Sequence, residues 1–111
     1  MSITRDYKET IHERVNKDPA FTAALLDEAI TLFLNGEPDV ARLVLRNLVN
    51  ATIGFEALAL ELDKSSKSLH RMLSARGNPT MDNLTKIIDI LRQQLGLDIQ
   101  VHITPIRTER A

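Results

Sequence analysis

The chain has 111 residues, 43% hydrophobic and 26% charged, with a formal net charge of −1; this is the balance of one ordinary globular domain and argues against wholesale disorder or a second independent core. It contains no cysteine, which excludes disulfides, thiolate metal sites and cysteine nucleophiles. The opening MSITRDYKETIHERVNK mixes acids with bases, unlike a secretory or transit peptide, and no apolar run reaches the ~20 residues of a membrane span, so a soluble, cytoplasmic protein is expected.

The elements read as short helices punctuated by Pro, Gly and Asn. Residues 4–17 read as a polar, marginal helix or arm with one thin apolar stripe, Tyr7, Ile11 and Val15. Asp18-Pro19 then reads as N-cap and first helical residue of AFTAALLDEAITLFLNG, with Phe21, Leu25, Ile30, Phe33 and Leu34 expected on its apolar face and Asn35-Gly36 at its end. Glu37-Pro38 starts DVARLVLRNLVNATIG, with Val40, Leu43, Val44 and Leu48 expected inward and Gly54 ending it. FEALALEL (55–62) and SKSLHRMLS (66–74) follow, each too short to be stable alone. The stop at Gly77-Asn78-Pro79 is sharp, because Gly permits a left-handed residue and Pro forbids continuation. Thr80 caps MDNLTKIIDILRQQL, whose Leu84, Ile87, Ile88, Leu91 and Leu95 share a face, and Gly96 closes it. The period then becomes 2: Leu97, Ile99, Val101 and Ile103 alternate with polar residues, as in a half-buried strand ended by Pro105, and RTERA is left as a loose tail. The class expected is all-α with one short C-terminal β-strand.

Charge is unevenly distributed. Residues 1–63 hold 6 Lys/Arg against 11 Asp/Glu, whereas residues 64–111 hold 8 against 4. Between 64 and 81 stand Lys64, Lys67, Arg71 and Arg76 with no acid before Asp82, a local field that attracts a polyanion whatever the net charge. In the segment 55–77, Leu58, Ala59 and Leu62 share one helix face and Leu69, Met72 and Leu73 another, with Asp63-Lys64-Ser65 as the turn and Ser65 as N-cap. This arrangement leaves Ser66, Lys67, His70 and Arg71 projecting from the first turns of the second helix, where a helix-turn-helix protein carries its base-reading side chains. Lys67 and Arg71 lie one turn apart, and Arg71 is suited to a bidentate pair with guanine O6 and N7. Ser65 and the adjacent N–H groups suit a phosphate, and Arg76 and Asn78 are placed to touch the backbone. The plainer alternative is a helical corner with a polar surface.

FEALALELDKSSKSLHRMLSARGNPTMDNLTKIIDILRQQLGLDI resembles the lambda-repressor-like, Cro/C1-type (Xre) helix-turn-helix family, and within it the addiction-module antidote (antitoxin) regulators. The resemblance spans roughly residues 40–101 and rests on Leu58, Ala59, Ser65, Leu69, Arg71, Leu73, Ser74, Gly77, Asn78 and Pro79. His70 stands where that family usually has Tyr, and no Arg follows Ser65, Lys67 coming one position later. The resemblance implies a five-helix DNA-binding domain, assigned to residues 38–104, with residues 1–37 as an N-terminal helical extension and 105–111 as a tail. It also implies a transcriptional repressor that binds double-stranded DNA, autoregulates its operon and neutralises an mRNA-cleaving toxin of the RelE type.

A lone strand leaves its ladder groups unpaired, and the simplest remedy is pairing of Leu97, Ile99, Val101 and Ile103 with the same residues of a second copy. Such a homodimer offers two reading helices about 34 Å apart to a palindromic operator. The strand packing on its own domain, or on a toxin's sheet, is the alternative. Catalysis is not expected. Ser66 and His70 at i, i+4 lack an orienting acid and an oxyanion hole; His12, His70 and His102 fall in three elements without metal-ligand spacing; no glycine loop or cofactor motif is present. The rival to DNA binding is an interaction module whose acidic N-terminal half docks a basic partner such as a toxin.

Overall fold

The computed structural model describes residues 18–107, which form five α-helices and no strand. They are α1 (Pro19–Leu34), α2 (Pro38–Ala51), α3 (Phe55–Leu62), α4 (Ser66–Met72) and α5 (Met81–Leu95). The helix expected over 4–17 lies outside the described residues, as do the last four positions of the tail. No single helix among the described residues is long and apolar enough to cross a membrane.

Local chemistry sets each boundary. Asp18 Oδ1 accepts the Phe21 N–H at 3.1 Å, and Pro19 follows where its missing N–H costs nothing. Pro38 opens α2 in the same way. Gly54 precedes α3 with φ 85° and ψ 155°, a conformation closed to other residues, and the chain turns by 102° between α2 and α3. Gly96, at φ 66° and ψ 38°, ends α5, and the Leu97 N–H reaches back to the Arg92 carbonyl at 2.9 Å.

The core is a single cluster drawn from all five helices: Leu26 and Ala29 of α1, Leu45, Leu48 and Val49 of α2, Phe55, Leu58 and Ala59 of α3, Leu69 of α4 with Leu73 just beyond it, and Ile87 and Leu91 of α5. Helix α1 thus shares its core with α2–α5, and the boundary at residue 37 falls between two helices of one packed unit. Within 38–104 lie four helices; α1 is the fifth.

Two helical faces are rotated from the expected phase. On α1 the buried residues are Thr22, Leu26 and Ala29, while Leu34, expected inward, is 65% exposed. On α2 the buried stripe is Ala41, Leu45, Leu48 and Val49, and Val40 and Leu43 face outward. Small Ala29 and Ala41 occupy fully buried positions, which lets the two helix backbones approach while the larger residues interlock beside them. In α3, α4 and α5 the expected faces are inward, with Leu62, Met72, Leu84, Ile88 and Leu95 half-buried at the margins.

Candidate nucleic-acid interface

Helices α3 and α4 are joined by Asp63, Lys64 and Ser65. Asp63 takes the left-handed conformation (φ 56°, ψ 46°), and the Lys64 N–H donates to the Ala59 carbonyl at 3.0 Å, ending α3. Ser65 Oγ then accepts the Ser68 N–H at 3.0 Å, the N-cap expected from sequence. Three residues of non-helical backbone thus join the two helices, and Leu58 with Ala59 meets Leu69 with Leu73 in the core.

Burying Leu69 and Leu73 fixes the opposite face of α4. Lys67 and Arg71, one turn apart, are exposed, as are Lys64 and Ser65 in the turn and Arg76 and Asn78 in the loop after α4. Among the described residues no ion pair engages any of these four cations; the one salt bridge is Arg92 with Asp89 on α5. Their charge is therefore uncompensated by a contacting carboxylate. Ser66 is half-buried.

His70 differs from expectation. It is half-buried, and its ring lies 3.9 Å from that of Phe55, centroid to centroid and 18° from parallel, in a stack between α4 and the start of α3. One helical position beyond buried Leu69, the imidazole is rotated toward α3 rather than outward. It holds the two helices together beneath the exposed face, leaving Lys67 and Arg71 as the outward pair.

Arg42 carries no sequence signal, since an Arg in the second turn of an amphipathic helix reads as solvated. In the structure it is half-buried and spans from α2 to the loop after α4, donating from Nε to the Ser74 carbonyl at 2.9 Å and from Nη2 to the Ala75 carbonyl at 2.7 Å. The same loop is tightened by Ser74 Oγ donating to the Arg71 carbonyl at 2.8 Å and by the Gly77 N–H donating to the Ser74 carbonyl at 3.0 Å. Gly77 is not in the left-handed region; its role is close approach, because a Cβ there would run into the Met72 and Arg71 carbonyl oxygens.

The expected strand is absent among the described residues. Leu97 and Ile99 are half-buried against the core, near Leu26 and Ile30 of α1, and Asp98 and Gln100 point outward. The alternation is present for these four residues and then lapses. Val101 and Ile103 are 55% and 92% exposed, as is Ile106 at 89%. No backbone–backbone hydrogen bond joins 98–107 to another described residue, so no ladder exists to define a strand. No group of three or more His, Asp or Glu among the described residues is gathered to hold a metal ion. Comparison of the chain with protein-family models, with curated proteins and with solved structures finds no match.

Proposed function

We propose that the chain is a sequence-specific DNA-binding transcriptional regulator, a repressor that inserts α4 into the major groove of a palindromic operator as a homodimer. The observation that carries this reading is the pair Lys67 and Arg71, exposed on a capped helix and flanked by Lys64 and Arg76 with no contacting carboxylate. A helix presenting two long cations one turn apart matches the width of a major groove, and Lys64 and Arg76 on either side suit the phosphates that bound it. The dimer in this reading uses Val101 and Ile103, since Leu97 and Ile99 already pack on their own domain.

The test uses a duplex that the protein itself selects from a random pool. Lys67→Ala and Arg71→Ala should each weaken specific binding by ~1–3 kcal/mol and relax preference at one position, while Lys64→Ala should weaken all sequences alike and lower the salt slope by about 1. If both α4 variants bind the selected duplex as tightly as the parent, α4 is not the reading element.

A second reading, antitoxin of a type II toxin–antitoxin module, rests on the acidic stretch of α1 and early α2. From residue 18 to 41 there is no Lys or Arg, and Asp18, Asp27, Glu28, Glu37 and Asp39 are all exposed, a surface suited to a basic protein such as a RelE-type ribonuclease toxin. Co-purification with the product of a neighbouring gene encoding a small basic protein supports it, and a solitary gene counts against it.

A further inference from the structure

We propose that Arg42 is a positioning residue for the α4 face: its guanidinium, reaching from α2, clamps the carbonyls of Ser74 and Ala75 and so fixes how α4 and the loop carrying Arg76 are presented. The proposal rests on the DNA-binding reading above and adds to it a residue outside the contact surface.

The need for such a clamp follows from the size of α4. Seven residues make fewer than two turns, and a helix of that length has almost no intrinsic stability. Its N-terminus is tied by Ser65 and its inner face by Leu69 and Leu73, but its last carbonyls have no partner within the helix. Arg42 acts just past them, donating to the carbonyls of Ser74 and Ala75, two and three residues beyond the end of α4 at Met72. The two N–H groups used, on Nε and Nη2, are set in a fixed planar fork, and two successive carbonyls accept from them, at 2.9 and 2.7 Å. The positive charge also lies at the negative end of the α4 dipole. Ser74 O is shared: it accepts from Arg42 and from the Gly77 N–H, so the same atom joins α2, the end of α4 and the turn leading to Asn78. Arg42 lies 32 residues from Ser74 in sequence, and among the described residues no other side chain of α2 hydrogen-bonds to this loop.

A positioning role and a direct phosphate contact make opposite forecasts. In the first, Arg42→Ala lowers affinity for the selected duplex by roughly tenfold or more with an unchanged salt slope, because no phosphate loses its cation. Arg42→Lys keeps the charge but cannot fork two carbonyls, and should remain nearly as weak as the Ala variant. Amide exchange gives a readout that needs no DNA: the Gly77 and Ser74 N–H groups should exchange roughly tenfold faster in both variants, while core amides of α5 such as Leu91 keep parent rates. That contrast separates loss of the clamp from general destabilisation, which would speed Leu91 as well. Three results overturn the proposal: loop exchange unchanged in both variants, full binding restored by Lys, or a salt slope reduced by about 1 in Arg42→Ala. If the parent enriches no duplex at all, the DNA-binding reading has failed and the positioning role falls with it, and that failure is told apart from a failure of the clamp by the exchange rates.

Discussion

Gly77 illustrates how a residue can be read correctly for position and incorrectly for cause. Gly77-Asn78-Pro79 marks a helix stop in any sequence, and α4 does end before it. The expected reason was a left-handed backbone, yet φ at Gly77 is not positive and the constraint is the approach of its α-carbon to the Met72 and Arg71 carbonyls. Periodicity and turn chemistry carry no information about such distances, so the cause could not be read from the sequence. The two causes predict different mutants. A residue tolerant of positive φ, such as Asn, would suit a left-handed site; here any Cβ meets backbone that cannot move aside cheaply. Gly77→Ala and Gly77→Asn should therefore both destabilise by ~1–3 kcal/mol in urea denaturation, as overpacking does. An Asn variant within ~0.5 kcal/mol of the parent would mean that the loop relaxes and the steric account is wrong. Arg42 and the Phe55–His70 stack were hidden for a related reason: each joins residues distant in sequence, and no local pattern links them.

At the level of elements, helix ends were legible and helix faces only partly so. Asp18, Ser65, Thr80 and Gly96 cap where their chemistry says they should, because capping is decided within three or four residues. The faces of α3, α4 and α5 could be read because polar residues bound their apolar stripes. In α1 apolar residues occupy nearly every side, and in α2 the apolar face is broad enough to hold both Val44 and Leu45, so the choice between Leu25 or Leu26, and between Val44 or Leu45, is settled by how the two helices pack, not by either helix alone. Helix α5 adds a pH-dependent element. Asp89 accepts from Arg92 Nη2 at 2.7 Å and from Gln93 Nε2 at 2.9 Å, and these hydrogen bonds, Arg92 first, hold its carboxyl below the ordinary value of 3.8. A lowered folded pKa means that the contribution is complete above the unfolded value and is lost as pH falls through the folded one. Asp89→Asn should accordingly be slightly less stable than the parent at about pH 7, with the difference closing by about pH 2. The group is exposed, so the effect is small; thermal melts of both proteins across that range measure it, and a difference independent of pH would assign the loss to helix packing instead.

Along the whole chain charge is segregated, with an acid-only stretch on α1 and early α2 and an acid-free stretch from Lys64 to Met81, and this segregation was readable from charge counts alone. What the counts could not give is the course of the C-terminal segment. A period-2 pattern shows that alternate residues seek an apolar surface, not whose surface it is. Leu97 and Ile99 find it on α1 of their own chain; Val101, Ile103 and Ile106 do not, and together with Ile30 and exposed Leu34 some of them line an open groove. Removing everything after Gly96 would strip Leu97 and Ile99 from the core and confuse folding with assembly. The cleaner test of the proposed dimer is Val101→Lys with Ile103→Lys, which alters side chains that are 55% and 92% exposed in the isolated chain. Surface substitutions of this kind change monomer stability by no more than ~0.5 kcal/mol, so the helical signal should persist. Two lysines per copy facing their equivalents across a two-fold axis would repel, and light scattering should report a fall from dimer to monomer mass. Operator binding should weaken in parallel, because half-sites about 34 Å apart are then engaged independently rather than by linked subunits. A dimer mass that survives both substitutions would move the interface elsewhere, with exposed Leu34, Val40 and Leu43 at the α1–α2 end the next residues to charge.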